Sequence, residues 1–213
     1  MLGTATALVI LGVSIAPFLT PQYVRFEQDR TNVGQLTGYS AGELDHIAGQ
    51  ILGDLVLWRG DFHVQAGAGP RLGEVLTDGE RSHMLDVRNV FTAFWAFVAA
   101  GILTLVVGFR RARAPGAQPA AWRAAAWRGV RNGALGLALA IAVVGVFAVF
   151  AFDAAFEVFH RLFFGAGTYS FDPATSKLVQ LFPDAFWSQT AIIVGVVILS
   201  VALLTAWQAG RRA

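Results

Sequence analysis

The sequence predicts an all-α membrane protein: four transmembrane helices with an extracytoplasmic cap made of an amphipathic helix and a candidate short hairpin. Three observations carry this. Hydrophobic residues make up 55% of the 213 and charged residues only 14%, and the mean hydropathy is +0.56, a balance foreign to water-soluble domains. Four uncharged runs, Leu2–Leu19, Val90–Gly108, Gly133–Phe152 and Thr190–Trp207, are each about 18 to 20 residues long, enough to cross a bilayer. Finally, charge is segregated by sign along the chain.

Apolar runs of this length are expected to be helical, since lipid offers backbone groups no partner. The first run lacks a basic segment before it and a clear small-x-small site after it, so it reads as a retained helix rather than a cleaved signal. The chain thus reads as a single four-span domain over residues 1–213.

Charge orients the spans. Between Phe109 and Asn132 stand Arg110, Arg111, Arg113, Arg123, Arg128 and Arg131 with no acid, and Arg211 and Arg212 follow the last run. Ten acids fall in 21–87 and four in 153–187, which together make all fourteen. The positive-inside rule then puts loop 109–132 and both termini in the cytoplasm and segments 21–87 and 153–187 outside. The high pI, about 9.5, is therefore topological and points to no nucleic-acid partner. Trp122-Arg123 and Trp127-Arg128 read as an amphipathic turn at the headgroups.

In the first outer segment, 21–38 is polar and is expected to be irregular. "YSAGELDHIAGQILGDLVLW" opens with Ser40 and Glu43 at capping-box spacing, and Leu44, Ile47, Ala48, Ile51 and Leu55 recur at helical spacing. His46 falls off that stripe and reads as solvated. "DFHVQAGAGPRLGEVL" reads as two extended pieces around a Gly/Pro turn, with His63 as a structural or solvated residue. Thr77 and Glu80 form a second capping-box pair, predicting a helix from Asp78 through Gly108. At 31 residues it would be about 46 Å long, against a slab of about 30 Å. His83 would sit on the projecting turns, with Glu80 and Asp86 three residues to either side.

The third run continues its helical spacing to about Phe164. Asp153, Glu157 and Arg161 step by four, Glu157 precedes His160 by three, and Phe156, Phe159, Phe163 and Phe164 surround that histidine with aromatic surface. Two oppositely running spans would each raise a histidine on the outer side with a carboxylate one turn away. The absence of cysteine excludes disulfides, thiolate nucleophiles and Cys-ligated metals.

"ERSHMLDVRNVF" and "FHRLFFGAGTYSFDPATSKLVQLFPDAFW" resemble the two signature regions of the lipoprotein intramolecular transacylase (Lit) family of bacterial membrane proteins. The likeness extends to the four spans and the "YS…EL" helix. In two places the chain departs from the pattern: "TSKL" (Thr175–Leu178) holds no acid before the Leu-Val pair, and Tyr169 stands where tryptophan is more usual. The resemblance implies transfer of the sn-2 acyl chain of an S-diacylglyceryl cysteine to its own α-amine, giving a lyso-form lipoprotein, in a bacterial cell membrane. The partners it implies are a lipid-anchored lipoprotein and membrane lipids, and it implies neither cofactor nor metal. The family's two essential histidines fall on His83 and His160.

These residue types suit such chemistry. The substrate brings its own nucleophile, so no catalytic serine or cysteine is needed, and imidazoles exchange protons near neutral pH. Asp86 or Glu157 would orient a ring, Arg88 and Arg161 would meet a carbonyl, and Phe164 and its neighbours would exclude water. Two alternatives stand beside this reading: a metal-dependent hydrolase using His83, His160 and His63, which lacks His-x-x-x-His spacing, and a non-catalytic lipid-binding or assembly module.

Overall fold

The computed structural model describes residues 1–67, 72–113 and 119–213, and its regular elements are all helices apart from one small hairpin. In order come α1 (Leu2–Ile15), a 3-10 turn (Ala16–Phe18), α2 (Pro21–Arg30), α3 (Val33–Thr37), α4 (Ala41–Leu57), β1 (Gln65–Ala66) and β2 (Gly73–Glu74). They are followed by α5 (Asp78–Arg113), α6 (Pro119–Phe150), α7 (Phe152–Phe163), α8 (Lys177–Leu181) and α9 (Asp184–Gly210). α5, α6 and α9 are long and apolar enough to cross a membrane, and a fourth span results if α1 and α2, which meet at a bend of 66°, are counted together. The helical membrane fold read from the sequence is the one observed.

The chain forms two compact units. The first holds Met1–Ala16, Ala93–Phe150 and Ile192–Ala213: α1, the apolar length of α5, α6 and most of α9. Its interior interleaves alanines with larger aliphatics, with Ile10, Ala134, Leu137, Ala138, Ile198, Ala202 and Ala206 in one cluster. Lipid supplies no hydrophobic drive for helices to associate, so close backbone approach has to supply dispersion energy instead. Gly133 shows how close: a Cβ there would lie 2.1 Å from the Gly3 carbonyl oxygen, so α1 and α6 touch backbone to backbone. Gly133→Ala is expected to be destabilising by at least about 1–3 kcal/mol, read as a lowered unfolding temperature in detergent. Gly136→Ala, where the added carbon meets nothing within 4 Å, is the silent control.

The second unit holds Pro17–Thr92 and Ala151–Ala191. Its core gathers Val33, Leu44, Ile47, Ile51, Phe62, Val64, Val75, Leu76, Met84, Leu178 and Leu181. The apolar stripe of α4 lies inward as its spacing predicts, and both halves of the Ser40–Glu43 capping box are present. β1 and β2 pair antiparallel, Gln65 with Glu74 and Ala66 with Gly73; the Gly/Pro turn expected to join them falls partly outside the described residues.

Three sequence expectations need correction. Residues 21–38 are not irregular: they form α2 and α3. The Thr20 side chain caps α2 by accepting from the Tyr23 N–H, and Pro21 occupies the first helical position, where its missing N–H costs nothing. The third run does not continue as one helix to Phe164. It breaks at Ala151 (φ −144°, ψ 53°), after which α7 sets off anew; neither glycine nor proline marks the spot. Much of segment 109–132 is helical, because α5 runs to Arg113 and α6 starts at Pro119; alanine-rich, arginine-bearing sequence is good helix former. The Trp-Arg pairs therefore lie within α6 rather than in a separate turn.

Candidate active site

α5 opens with the second capping box. The Thr77 N–H donates to Glu80 Oε2 at 2.7 Å and the Glu80 N–H to Thr77 Oγ1 at 3.3 Å, which fixes where the helix begins and hence the direction of His83 one turn later. Glu80 also reaches across the unit. Its Oε1 accepts from Ser176 Oγ and, at 2.9 Å, from the Leu178 N–H. Ser176 in turn caps α8, accepting from the Val179 N–H. One carboxylate, 1% exposed, thus joins the start of the His83 helix to the segment that follows Phe171. Burial pushes its pKa up, yet the hydrogen bonds from Ser176, Thr77 and Leu178 outweigh that and hold it below the ordinary value.

His83 and His160 face each other. Their ring centroids are 5.9 Å apart and nearly parallel, with an interplanar angle of 26°, and both residues are buried. The walls are aromatic. Phe164 stands edge-on to His83 at 4.8 Å and lies 5.5 Å from His160. Phe171 is 5.8 Å from His83, while Phe156 and Tyr169 lie 4.2 and 5.0 Å from His160.

The hydrogen bonds distinguish the two rings. His160 Nδ1 is 2.8 Å from the Phe156 carbonyl oxygen; a carbonyl only accepts, so Nδ1 carries the proton and the neutral ring keeps its lone pair on Nε2. His83 Nδ1 is buried with no hydrogen-bond partner among the described residues. His83 lies ahead of the apolar length of α5, and its pKa is lowered, chiefly by burial and next by the charge of His160; Asp86 opposes this by its negative charge. Two imidazolium ions this close repel, so the pair carries one proton more readily than two.

The remaining candidates fall into place around the pair. Asp86 acts on His83 through charge. Glu157 accepts from Arg161 Nε at 2.7 Å and from the Tyr169 hydroxyl at 3.2 Å. The hydrogen bond from Arg161 is the main cause holding Glu157 below the usual carboxylate range. Glu157 therefore steadies Tyr169, whose ring packs on His160, and acts on the imidazole itself through charge. Arg161 is exposed on that stripe. Arg88 is committed elsewhere: it donates to the Gly60 carbonyl at 2.6 Å and to Asp61 at 3.0 Å and stacks on Trp58 at 4.3 Å. It clamps a loop in which Trp58 and Phe62 both adopt positive φ. His63 is exposed and paired with Glu74 and Arg81; His46 is exposed beside Gln50. Among the described residues no group of three or more His, Asp or Glu gathers to hold a metal ion.

Sequence reasoning passed over Phe171 as part of the site and took Tyr169 and Ser176 only as departures from a pattern. The available signal was the aromatic spacing of "GTYSFDPATS", directly after the His160 motif.

Helices long and apolar enough to cross a membrane, together with a buried, aromatic-walled imidazole pair in the second unit, define a class of helical membrane protein. The chain belongs to the family described as lipoprotein intramolecular transacylase Lit, whose model matches residues 1–187. Among solved structures it is similar to the membrane integral lipoprotein intramolecular transacylase Lit from Bacillus cereus, at a TM-score of 0.72 and 20% identity over 99% of this chain and 92% of that one. Forms of that protein with a histidine changed to arginine or to alanine match at 0.72 as well, at 17% and 18% identity. They cover 99% of this chain each, and 88% and 89% of theirs. At such identities the likeness carries the fold alone. No match is found among the curated proteins.

Proposed function

We propose that this protein moves the sn-2 acyl chain of an S-diacylglyceryl cysteine at a lipoprotein's N-terminus to that cysteine's own α-amine, with His83 and His160 as the catalytic residues. The observation that carries this is the buried imidazole pair with centroids 5.9 Å apart. The transfer needs an unprotonated amine, a proton acceptor when it attacks the ester carbon, and a proton donor when the glyceryl oxygen departs. Burial disfavours the charged form of His83, so it is assigned as acceptor. His160, whose Nδ1–H is anchored to a carbonyl, leaves Nε2 to take up the pair's proton, and in that protonated form it is the donor to the leaving oxygen. The N–C bond forms as the C–O bond breaks: the amine's proton passes to His83, the proton on His160 Nε2 passes to the leaving glyceryl oxygen, and return of the proton from His83 to the facing His160 restores the starting pair. Phe156, Phe164, Tyr169 and Phe171 exclude water that would otherwise hydrolyse the ester.

The arginine-only stretch around α5–α6 and the C-terminal Arg211 and Arg212 support cytoplasmic termini and a site on the outer face of a bacterial cell membrane. That placement suits a substrate whose chains stay in lipid while its headgroup stands outside. The four-span single-domain organisation belongs to the same proposal.

The decisive test is mass spectrometry of a lipoprotein's N-terminal peptide from a host lacking its usual N-acylating enzyme. Expression of this protein is expected to yield the lyso form acylated on nitrogen; only free-amine diacyl peptide, with the protein well inserted, overturns the reading. A pH profile adds a finer check. With the His83 pKa lowered, the acidic limb of kcat/KM attributable to the acceptor should lie below the ordinary histidine value of about 6.5. Asp86→Asn removes the one charge that raises it, so that limb should move further down in pH; an upward shift contradicts the assignment.

A further inference from the structure

α7 has three sectors, and only two of them are explained by the site. Phe156 and His160 face inward and lead to Phe164. Asp153, Glu157 and Arg161 form a charged stripe in which Glu157 holds Arg161 and Tyr169. The third sector is apolar and bare: Val158 is 52% exposed, Phe159 47%, Leu162 73% and Phe163 50%. A helix of this pattern is built for an interface, with one face in acyl chains and the other in headgroups. The chain around it says which interface. α6 runs uncharged from Gly133 to Phe150, about 27 Å of helix against a hydrocarbon slab of about 30 Å. Ala151 alone separates its end from α7, so α7 starts at the membrane edge with no linker to carry it away. The bare sector is also continuous with the imidazoles: Phe163 packs on Phe159 at 4.9 Å, Phe159 lies 5.5 Å from His160, and Phe164, 6.3 Å from Phe159, stands against His83.

We propose that α7 lies along the bilayer surface with Val158, Phe159, Leu162 and Phe163 immersed among the acyl chains, and that the chain to be transferred reaches the imidazole pair across this face. The route rests on the transacylase reading; the immersion of the helix does not. Occupancy by lipid explains why the exposed apolar side chains of α7 avoid the stripe that bears its charges.

Because the chain has no cysteine, a nitroxide can be placed cleanly at Leu162→Cys or, on the charged stripe one residue away, at Arg161→Cys. The full-length protein would be studied in phosphatidylethanolamine–phosphatidylglycerol vesicles. Spin-label accessibility should favour oxygen over a water-soluble nickel chelate at position 162 and the reverse at 161. Equal nickel access at both overturns the immersion. Loss of access to both reagents at 162, with spin–spin broadening that grows with protein-to-lipid ratio, would show a second copy on the face and overturn it as well. For the route, Leu162→Lys should lower transfer on a diacylglyceryl lipopeptide by about tenfold or more, while Leu162→Phe, which keeps the face apolar, retains it. An inserted Leu162→Lys protein that transfers at the wild-type rate overturns the route while leaving the immersion standing. A wild-type protein that transfers nothing removes the transacylase reading and the route together, and the spin-label result still stands by itself.

Discussion

Replacing either His83 or His160 by alanine is expected to lower acyl transfer by about 10²–10⁴-fold, the usual worth of positioned acid–base help. The two losses should not multiply. The rings stack 5.9 Å apart, the charge of one depresses protonation of the other, and each step of the proposed reaction needs both states at once. A pair acting as one unit gives a double variant about as impaired as the worse single. Losses that add in free energy would mean two separate roles, and the shared-proton assignment would fall. Alanine also leaves a void among Phe156, Phe164 and Tyr169, so His83→Gln and His160→Gln serve as volume controls. They should retain the unfolding temperature while losing activity. Glutamine variants that work as well as the wild type would leave the imidazoles as packing, as a non-catalytic lipid-binding module predicts.

Much of this site was legible in the sequence because its parts are local. Thr77–Glu80 and Ser40–Glu43 announce their helices through a reciprocal cap four residues long, and the spacing of Asp153, Glu157 and Arg161 foretells the Glu157–Arg161 bond. What stayed hidden depends on contacts across long stretches of chain. The second role of Glu80, as acceptor for Ser176 and Leu178, spans 96 and 98 residues and has no periodicity to reveal it. Arg88, read as a carbonyl ligand, is instead held by a loop 27 and 28 residues upstream, a pairing that only the fold produces. α2 was missed for a related reason: Val24, Glu27 and Gln28 are buried, but two of the three are polar, so hydropathy shows no inward face. Gln28 is satisfied by donating to the Leu181 carbonyl at 3.1 Å. The break at Ala151 is of the same kind, since nothing in the local residues opposes helix there and the run of apolar spacing continues across it.

That distant role of Glu80 leads to the second large effect. Glu80→Ala should cost several kcal/mol of stability, because it removes the acceptor of the Ser176 hydroxyl and the Leu178 N–H in a buried setting, at roughly 1–3 kcal/mol for each stranded group, and removes the half of the α5 capping box in which Glu80 Oε2 accepts from the Thr77 N–H. Glu80→Gln is milder: one carbonyl oxygen can still accept from Ser176 and Leu178, but its amide meets the Thr77 N–H and hydroxyl donor to donor. The pH dependence separates the charge from the shape. The folded pKa of Glu80 is held below its unfolded value, so its contribution is present above about 4.5 and is lost as pH falls toward the folded value. The gap in unfolding temperature between wild type and Glu80→Gln should therefore narrow as acid is added. Activity should fall alongside stability, since the tether sets His83 against Phe171 and Phe164, and Ser176→Ala, which removes one donor and the cap of α8, should reproduce part of the loss with the helix start intact. A Glu80→Ala protein that unfolds at the wild-type temperature would show that the His83 helix is fixed by its packing alone, and the positioning argument would fail.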